Sequence, residues 1–291
     1  MNARPRWFGR GTHSGFKEKA VDVILGILYS GGWPGVITHA IGLQGELRVE
    51  EHVFRIRRLK PRASPIRLVY ASDFHCGPTL NRKLLEHVMR AIRGARPDLV
   101  LLGGDFVSFH ARYIEQMIPA LTDIEAPLGK FAVLGNHDLL GDDEYIARRL
   151  SDAGVKTLVN ENVQLATPHE DVWVCGFDDW HEGAPDPDAA FRGATGTRIL
   201  LAHGPDALSV AGDRPFDIAF FGHVHGGQFL FRGRPVISHR GEMSRKYILG
   251  GVVQAGVNRA PVLISRGIGT STLPARRGAD PQVHICTLIP E

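Results

Sequence analysis

The segment FFGHVHGGQ, residues 220–228, carries two histidines where they could do chemistry. His223 and His225 follow an apolar run and are separated by one residue. Residues i and i+2 of a strand point to the same side of a sheet, so both imidazoles face one side if strand geometry continues through Gly222. Two imidazoles on one side could bind a metal ion. The alternative is a polar turn after a buried strand.

Four other apolar segments also end in residues that can bind metals. These residues are Asp73 and His75 in SDFH, Asp105 in GGD, Asn136 in GNHD, and His203 in AHG. Binding sites of open α/β sheets form outside the carboxyl ends of the strands, so residues far apart in the chain can meet there. A mixture of imidazoles and carboxylates favours Zn, Fe or Mn over Ca. The alternative is a set of unrelated polar strand ends.

Regular elements must bring these residues together. Apolar strands are predicted at 66–73, 97–105, 129–138, 171–179, 197–204 and 216–225. Helices are predicted at 17–30, 81–92, 112–124 and 142–153. Strands that alternate with helices indicate βαβ units, and the strand-rich second half indicates antiparallel additions. We therefore predict an α/β fold with one domain at 63–291, preceded by an N-terminal helical extension at 1–62.

The order Asp-x-His, Gly-Asp, Gly-Asn-His-Asp, His and Gly-His-x-His resembles the calcineurin-like metallophosphoesterase family over residues 65–288. GHVHGGQ at 222–228 and SRGIGTS at 265–271 are most similar to a subgroup of bacterial phosphodiesterase-like proteins and UDP-2,3-diacylglucosamine pyrophosphatases of lipid A synthesis. The resemblance implies a β-sandwich of mixed sheets flanked by helices, in α-β-β-α layers. It also implies a phosphoester hydrolase with two divalent metal ions.

The roles of the family's residues carry over to the matching positions. By resemblance, Asp73, His75 and His225 hold one ion, Asn136, His203 and His223 hold the other, and Asp105 bridges them. The ions are expected to be Mn, Fe or Zn, with Mn favoured. His137 is implied to be the catalytic residue that acts on the leaving oxygen, because an imidazole can donate a proton near neutral pH. The adjacent Asp138 could orient His137 or be an ordinary turn residue.

Other residues are weaker candidates for the site. Asp179, which follows Asp178 at a strand end, could contact the substrate or orient a ligand histidine. Arg276 is one of three arginines, with Arg266 and Arg277, that could bind a phosphate through a planar guanidinium. The alternatives are strand-end acids and solvated surface charges. Five histidines receive no role: His110, His169, His181, His239 and His284.

The N-terminal section is basic and partly apolar. Residues 1–62 contain 11 Lys or Arg and 5 Asp or Glu, whereas the whole chain has a net charge of only +3. Apolar residues recur at helical spacing over 17–30, and a second apolar segment follows Pro34. Residues 17–41 could lie on an anionic membrane surface, close to a lipid-linked phosphate ester, or pack on the core. The sequence leaves both alternatives open.

Composition limits the class of protein. With 43% hydrophobic and 22% charged residues, the chain is typical of a globular protein. The small net charge gives no indication of a nucleic-acid partner. Three cysteines without a CxxC pair, no signal peptide and no spanning segment predict a cytoplasmic protein, either free or peripheral on the inner face of the membrane. A non-catalytic scaffold is the alternative function, but the complete ligand set favours an enzyme.

Overall fold

The computed structural model describes residues 6, 8–11, 16–60, 63–236 and 238–291. Its helices are α1 (Phe16–Leu28), α2 (Trp33–Ala40), α3 (Arg82–Gly94), α4 (Ile118–Thr122), α5 (Asn136–Leu140), α6 (Asp143–Asp152), α7 (Pro187–Phe191), α8 (Ala207–Ala211) and α9 (Glu242–Lys246). Its strands are β1 (Arg48–Ile56), β2 (Ile66–Ala71), β3 (Leu99–Leu102), β4 (Lys130–Ala132), β5 (Val155–Thr157), β6 (Glu161–Gln164), β7 (Val172–Gly176), β8 (Thr197–Leu201), β9 (Ile218–Phe221), β10 (Leu230–Phe231), β11 (Arg234–Pro235), β12 (Gly251–Ala255), β13 (Ala260–Ile264) and β14 (Gln282–Pro290).

Two six-stranded mixed sheets form the centre of the molecule. The first has the strand order β1-β14-β2-β3-β4-β5 and the second has the order β12-β13-β9-β8-β7-β6. Strands β2 to β5 run parallel, and so do β7, β8, β9 and β13. Antiparallel pairings add β14 to the first sheet and β6 and β12 to the second. This arrangement confirms the predicted α/β class with antiparallel additions.

Three apolar clusters show how the layers pack. One lies between the sheets, where the ring centroids of Tyr70 and Phe220 are 5.3 Å apart. A second covers the outer face of the first sheet with α3, whose Val88 and Ile92 are fully buried. The third covers the outer face of the second sheet and includes Ala207 of α8. The layers are therefore α-β-β-α, and the predicted sandwich is confirmed.

Two predicted elements differ from the structure. The predicted helix at 112–124 is a 3-10 helix at Ala111–Gln116 followed by the short α4. Pro119 in the first turn of α4 explains the division, because proline lacks an N–H and disfavours helical geometry in the residue before it. The predicted strand at 216–225 ends at Phe221, and His223 and His225 have φ angles of 70° and 49°. Our premise that strand geometry aligns the two histidines is therefore wrong.

Part of the predicted N-terminal extension belongs to the first sheet. Residues 48–56 form the edge strand β1, which pairs in parallel with β14 along its whole length. The segment RVEEHVFRI is rich in charge, and only Phe54 and Ile56 in it are buried. An edge strand with so little buried surface lacks the apolar pattern of the central parallel strands, so no strong sequence pattern predicts it.

Helices α1 and α2 lie on the surface and expose large apolar side chains. The exposed residues are Val21, Ile24, Ile27, Leu28, Trp33, Val36, Ile37 and Ile41. These side chains do not pack on the core, whereas Pro34 and Gly35 of α2 are buried, so the helices pack on the protein through one face and expose the other. Contact with a membrane stays a prediction. We call the exposed side chains the apolar N-terminal face. Among the residues that the structure describes, no helix is both long enough and apolar enough to cross a membrane.

Candidate metal centre

The predicted ligands lie on loops that follow the parallel strands of both sheets. Asp73 and His75 follow β2, Asp105 follows β3, Asn136 begins α5 after β4, His203 follows β8, and His223 and His225 follow β9. Backbone hydrogen bonds join the loops after β2 and β3, since Asp73 N donates to Gly104 O and His75 N donates to Asp105 O, both at 2.9 Å. The structure therefore brings together residues from five strand ends.

Five of the predicted ligands have left-handed backbone conformations. The φ angles are 53° at Asp73, 47° at His75, 52° at Asp105, 70° at His223 and 49° at His225. Residues with a Cβ rarely adopt a positive φ, and those that do concentrate at functional sites, where the surrounding structure offsets the strain. The sharp bends let these short loops point several polar side chains into one buried space.

Asp73, His75, Asp105 and His225 form a buried group whose ligand atoms all lie within 4.8 Å of one another. His75 Nε2 is 3.1 Å from His225 Nε2 and 3.4 Å from Asp105 Oδ2. His225 Nε2 is 3.7 Å from Asp73 Oδ1. Ligand atoms that each lie about 2 Å from one ion are separated by about 3–4 Å. This group therefore has the spacing of a single metal site.

His203 and His223 form a second group that shares Asp105 with the first. His203 Nε2 is 3.3 Å from Asp105 Oδ2 and 3.2 Å from His223 Nδ1. The same carboxylate oxygen thus faces a histidine of each group. Asn136 Oδ1 is buried and has no hydrogen-bond partner, which is unusual for a buried amide oxygen and fits a metal ligand. The donor set can therefore hold two transition-metal ions that share Asp105.

The ligand histidines are oriented through their second ring nitrogens. His75 Nδ1 is 2.9 Å from Ser108 Oγ, and His203 Nδ1 is 2.8 Å from Gly103 O. Such contacts fix the ring and the tautomer of a metal-binding histidine. For His203, Nδ1 donates to the carbonyl, so Nε2 is the nitrogen that faces Asp105. Burial would lower the pKa of His203, but Asp105 raises it well above the usual value, so a metal ion at Nε2 would replace a proton there.

Arg276 is buried and supports the loop after β9. Its guanidinium donates to the carbonyl oxygens of His225, Arg266, Gly269 and Ala279, and Nη2 also lies 3.1 Å from His225 Nδ1. These contacts leave no N–H for a phosphate, which corrects the predicted role of Arg276 in substrate binding. Because a guanidinium only donates, the contact places the proton of neutral His225 on Nε2. Neutral His225 would therefore bind a metal ion through Nε2 only after its proton moves to Nδ1 and the contact with Nη2 is lost.

Asp179 is buried at the end of β7 and keeps one carboxylate oxygen free. Its Oδ1 accepts the backbone N–H groups of His181 and Glu182, at 3.0 and 2.7 Å. Its Oδ2 is buried without a hydrogen-bond partner. Burial raises the pKa of Asp179, and the nearby His203 opposes that shift. Asp179 is thus close enough to the centre to interact with His203, and a contact with substrate stays a prediction.

Asp138 connects two of the ligand loops. Its Oδ1 accepts the N–H groups of Phe106 and Val107, at 2.8 and 3.3 Å, and its Oδ2 accepts that of Gly135 at 3.0 Å. The side chain is fully buried. Asp138 is therefore neither a surface turn residue nor a partner of the imidazole next to it. It holds the loop after β3 against the loop after β4.

Two further histidines border the ligands. The half-buried His137 places its ring edge-on to that of His75, with centroids 4.9 Å apart. His239, to which the sequence assigned no role, lies with its ring 5.4 Å from that of His223 and 6.4 Å from that of His225. His239 follows no strand and belongs to no recognised motif, so no signal in the sequence could have placed it here.

Burial governs protonation in the centre. It lowers the pKa of His75 to about 3 and that of His225 well below the usual range, and it raises the pKa of Asp73 to about 6. Burial alone would also raise the pKa of Asp105, but the surrounding histidines, His203 first, lower it well below the usual range. Neutral imidazoles and ionised carboxylates are the forms that bind metals.

The protein is a four-layer α/β sandwich with a buried imidazole–carboxylate centre at its strand ends. This combination is typical of metal-dependent hydrolases. The family model of the calcineurin-like phosphoesterases matches residues 66–227, which is more than half of the chain. The chain belongs to this family. It is therefore an enzyme that hydrolyses phosphoester bonds, as the sequence predicted.

Several relatives are similar over long stretches. Phosphodiesterase YaeI of Escherichia coli K12 is 33% identical over 181 residues, which cover 60% of this chain and 66% of YaeI. An uncharacterized metallophosphoesterase of Aquifex aeolicus is 28% identical over 250 residues, 83% of this chain and 92% of the relative. YkuE of Bacillus subtilis, an uncharacterized metallophosphoesterase, is 27% identical over 250 residues, 83% of this chain and 85% of YkuE. The match thus spans slightly less than two thirds of YaeI and most of the other two.

Proposed function

We propose that this enzyme is a dinuclear phosphodiesterase or pyrophosphatase that acts at a membrane surface on an amphiphilic, nucleotide-linked substrate such as UDP-2,3-diacylglucosamine. The similarity to a protein named as a phosphodiesterase supports the bond type. The motifs GHVHGGQ and SRGIGTS support the substrate class by resemblance. The observation that carries the proposal is the exposed apolar N-terminal face, on helices that contact the loops after β2 and β3.

In this proposal, seven residues hold two divalent ions, with Mn favoured over Fe and Zn. Asp73, His75 and His225 hold the first, Asn136, His203 and His223 hold the second, and Asp105 contributes to both. When bound, the ions would polarise the phosphoryl oxygens and lower the pKa of a water at the site. The short distances from Asp105 Oδ2 to a histidine of each group support the shared role of this carboxylate.

His137 is the residue that we propose to act on the leaving oxygen. Its backbone N–H donates to Asp105 Oδ1 at 2.9 Å, which fixes its position relative to the shared carboxylate. Its ring is half-buried and reaches the space above His75 without joining the ligand groups. An imidazole in this position can protonate the leaving oxygen, and an alkoxide or a phosphate needs this help more than an aryl oxide does.

Helices α1 and α2 contact the two loops that follow β2 and β3. Gly26 of α1 lies so close to the loop after β3 that a Cβ added to it would be 3.2 Å from Cβ of Phe109. The rings of Tyr29 and Phe109 also meet edge-on, with their centroids 6.0 Å apart. Gly35 N donates to Pro78 O, in the loop after β2, at 3.1 Å. An amphiphile that enters this face from a membrane would therefore present its phosphate groups near the metal centre.

The basic residues contribute less to membrane attraction than their number suggests. Arg57, Arg58 and Lys60 follow the end of β1 and form ion pairs with acidic side chains. The nine residues of β1 place this end roughly 26 Å from the beginning of the strand. Arg10 pairs with Asp178 and Asp143. Binding should therefore depend mainly on apolar insertion, which salt weakens little. The membrane in question is the inner face of the cytoplasmic membrane, and the three unpaired cysteines are consistent with that compartment.

The test replaces four residues of the apolar N-terminal face by serine: Ile24, Ile27, Val36 and Ile37. Native protein should cosediment with vesicles that contain anionic lipid and should keep most of this binding at high salt. The variant should lose binding and hydrolysis of vesicle-borne substrate, while hydrolysis of a soluble aryl phosphodiester is unchanged. The control replaces Val252 and Val257, which are exposed elsewhere on the surface.

Two results would overturn parts of this proposal separately. The membrane role is wrong if native protein does not bind the vesicles, or if the variant binds them as well as native protein does. Manganese-loaded native protein without activity on an aryl phosphodiester would remove the phosphodiesterase role and favour the scaffold alternative.

A further inference from the structure

Glu50, His52 and His284 form a second imidazole–carboxylate group in the first sheet, outside the metal centre. Glu50 and His52 are residues i and i+2 of β1, so their side chains point to the same side. His284 lies opposite Glu50 on the neighbouring β14. One ligand atom from each of the three residues lies within 4.8 Å of the other two. Regular strand pairing alone is enough to assemble this group.

We propose that these three residues bind a divalent transition-metal ion, Zn²⁺ in the first instance, as a clip between β1 and β14. His52 Nε2 is 3.1 Å from His284 Nδ1 and 3.9 Å from Glu50 Oε2. Ligand atoms about 2 Å from one zinc ion lie about 3–4 Å apart, so the ion needs little rearrangement of the three side chains. Two imidazoles and one carboxylate form a known type of zinc site that leaves a position for water.

The surroundings hold the carboxylate in place. Gln282 Nε2 donates to Glu50 Oε1 at 2.6 Å, and Gln282 Oε1 accepts the backbone N–H of Arg266 at 3.0 Å. Glu50 Oε1 is therefore occupied, and Oε2 is the oxygen nearer to His52. Such supporting contacts to ligands raise metal affinity about 10–100-fold in known sites.

The group is open to solvent on one side only. His284 is buried, whereas the side chains of His52 and Glu50 are 19% and 41% exposed. An ion can reach the site from the side of Glu50, and a water can complete its coordination there. Burial lowers the pKa of His52 and that of His284, the latter to about 3, so both rings are neutral at physiological pH.

The clip would act on the strand that carries the N-terminal helices. β1 is an edge strand and follows α2 directly, so its attachment to β14 anchors the apolar N-terminal face to the sheet. An ion that binds the folded protein only stabilises it by mass action. The ordinary alternative to the clip is a hydrogen bond between the two histidines, and that bond requires no metal.

The experiment measures zinc bound per chain and the melting temperature of the full-length protein at increasing zinc. Native protein should bind one ion more than the metal centre holds, and this ion should raise the melting temperature. His52→Gln and Glu50→Gln should weaken binding of that ion at least tenfold and abolish the shift. His87→Gln, at an exposed histidine of α3, and Glu51→Gln, at an exposed residue that points to the opposite side of β1, serve as matched controls.

The outcomes separate this site from the metal centre. Asp105→Asn should remove zinc from the metal centre and leave the additional ion in place. If native protein binds no additional ion, or if His52→Gln and Glu50→Gln bind it with native affinity, the clip does not exist and the histidines form a hydrogen bond only. Circular dichroism checks that each variant folds, and Glu50→Gln decides the question if His52→Gln does not.

Discussion

The metal centre and the β1–β14 group use the same side-chain types but are built in opposite ways. The metal centre lies on loops, and five of its residues have left-handed backbone conformations. The β1–β14 group lies within regular strands, where residues two apart and their cross-strand neighbour meet without strain. The strained loops bring side chains from five strand ends into one buried space. The regular sheet brings together only side chains that are neighbours on its surface, and this surface is partly open to solvent.

This difference has a consequence for chemistry. In the metal centre, burial and the neighbouring charges together set the protonation of the groups, and one carboxylate oxygen lies close to both groups of histidines. Ions held there would be largely enclosed by protein, and water and substrate would share the few remaining positions on them. The β1–β14 group has three donors and one open side, which suits a single structural ion. Strain is therefore present where catalysis is proposed and absent where only stability is at stake.

The largest effect is expected for Asp105→Asn. Loss of the shared carboxylate should weaken binding at both catalytic sites and lower kcat/KM on the order of 10³-fold, because several kcal/mol of charge stabilisation are lost. Steady-state assays with a soluble aryl phosphodiester measure the loss. A variant with native kcat/KM would show that Asp105 is not the shared ligand.

His137→Asn should lower activity without lowering metal content. The expected loss is roughly 10²–10⁴-fold for substrates with poor leaving groups and clearly smaller for aryl phosphodiesters, because an aryl oxide needs little protonation. Parallel assays with an alkyl and an aryl phosphodiester, together with elemental analysis, make the comparison. Equal losses on both substrates, or a loss of metal, would contradict the proposed role.

Arg276→Met should act through His225. Without the guanidinium, the carbonyl groups that fix the loop after β9 lose their donors, and we expect about 10–100-fold weaker manganese binding. Arg276→Lys should restore little of it, since one ammonium group cannot span the same acceptors. Titration with manganese measures the affinity, and the exposed Arg277→Met is the control. Native affinity in Arg276→Met would mean that the guanidinium only fills space.

The smallest effect concerns the ion pair of Arg10 and Asp178. Burial would raise the pKa of Asp178, but two hydrogen bonds from Arg10, at 2.7 Å each, help to hold it below its usual value. A depressed pKa stabilises the fold above the unfolded pKa of about 3.9, and this contribution disappears as the pH falls through the folded pKa. The pair should therefore matter at neutral pH and not in strong acid.

Arg10→Met should cost about 1–3 kcal/mol of unfolding free energy at pH 7. The cost should shrink as the pH falls below about 3.9, where the carboxylate of the unfolded chain becomes protonated, and it should disappear once the pH has passed through the lowered pKa of the native protein. Urea unfolding between pH 7 and pH 3 measures the difference, and Arg82→Met, at an exposed pair with Glu86, should stay within about 0.5 kcal/mol of native. A constant difference across this pH range would contradict the electrostatic explanation.

The sequence predicted the parts of the centre that depend on strand ends. Asp73 and Asp105 follow neighbouring strands of the first sheet and His203 follows a strand of the second, and parallel strands place such residues at the carboxyl edge of their own sheet. The left-handed turns at His223 and His225 could not be predicted, because local sequence does not determine φ for a histidine. The strand rule thus selected His223 and His225 for a geometric reason that the structure does not support, and their role as ligands stays a prediction.

Residues that support the centre were harder to predict. Asp138 and Arg276 act through backbone groups that are distant in sequence, and a single sequence carries no record of those contacts. His52 and His284 meet because β1 pairs with β14 at the other end of the chain. Charged edge strands give a weak pattern, so neither the strand nor its partner was apparent. Long-range pairing therefore limits what the sequence alone can predict.

The most direct test of the central claim is anomalous diffraction at the manganese edge from crystals of manganese-loaded protein. We predict two peaks about 3.5–4 Å apart, both within bonding distance of the Asp105 carboxylate. One peak should contact His75 and His225, and the other should contact His203 and His223. A single peak, or two peaks of which one does not contact Asp105, would contradict the dinuclear centre.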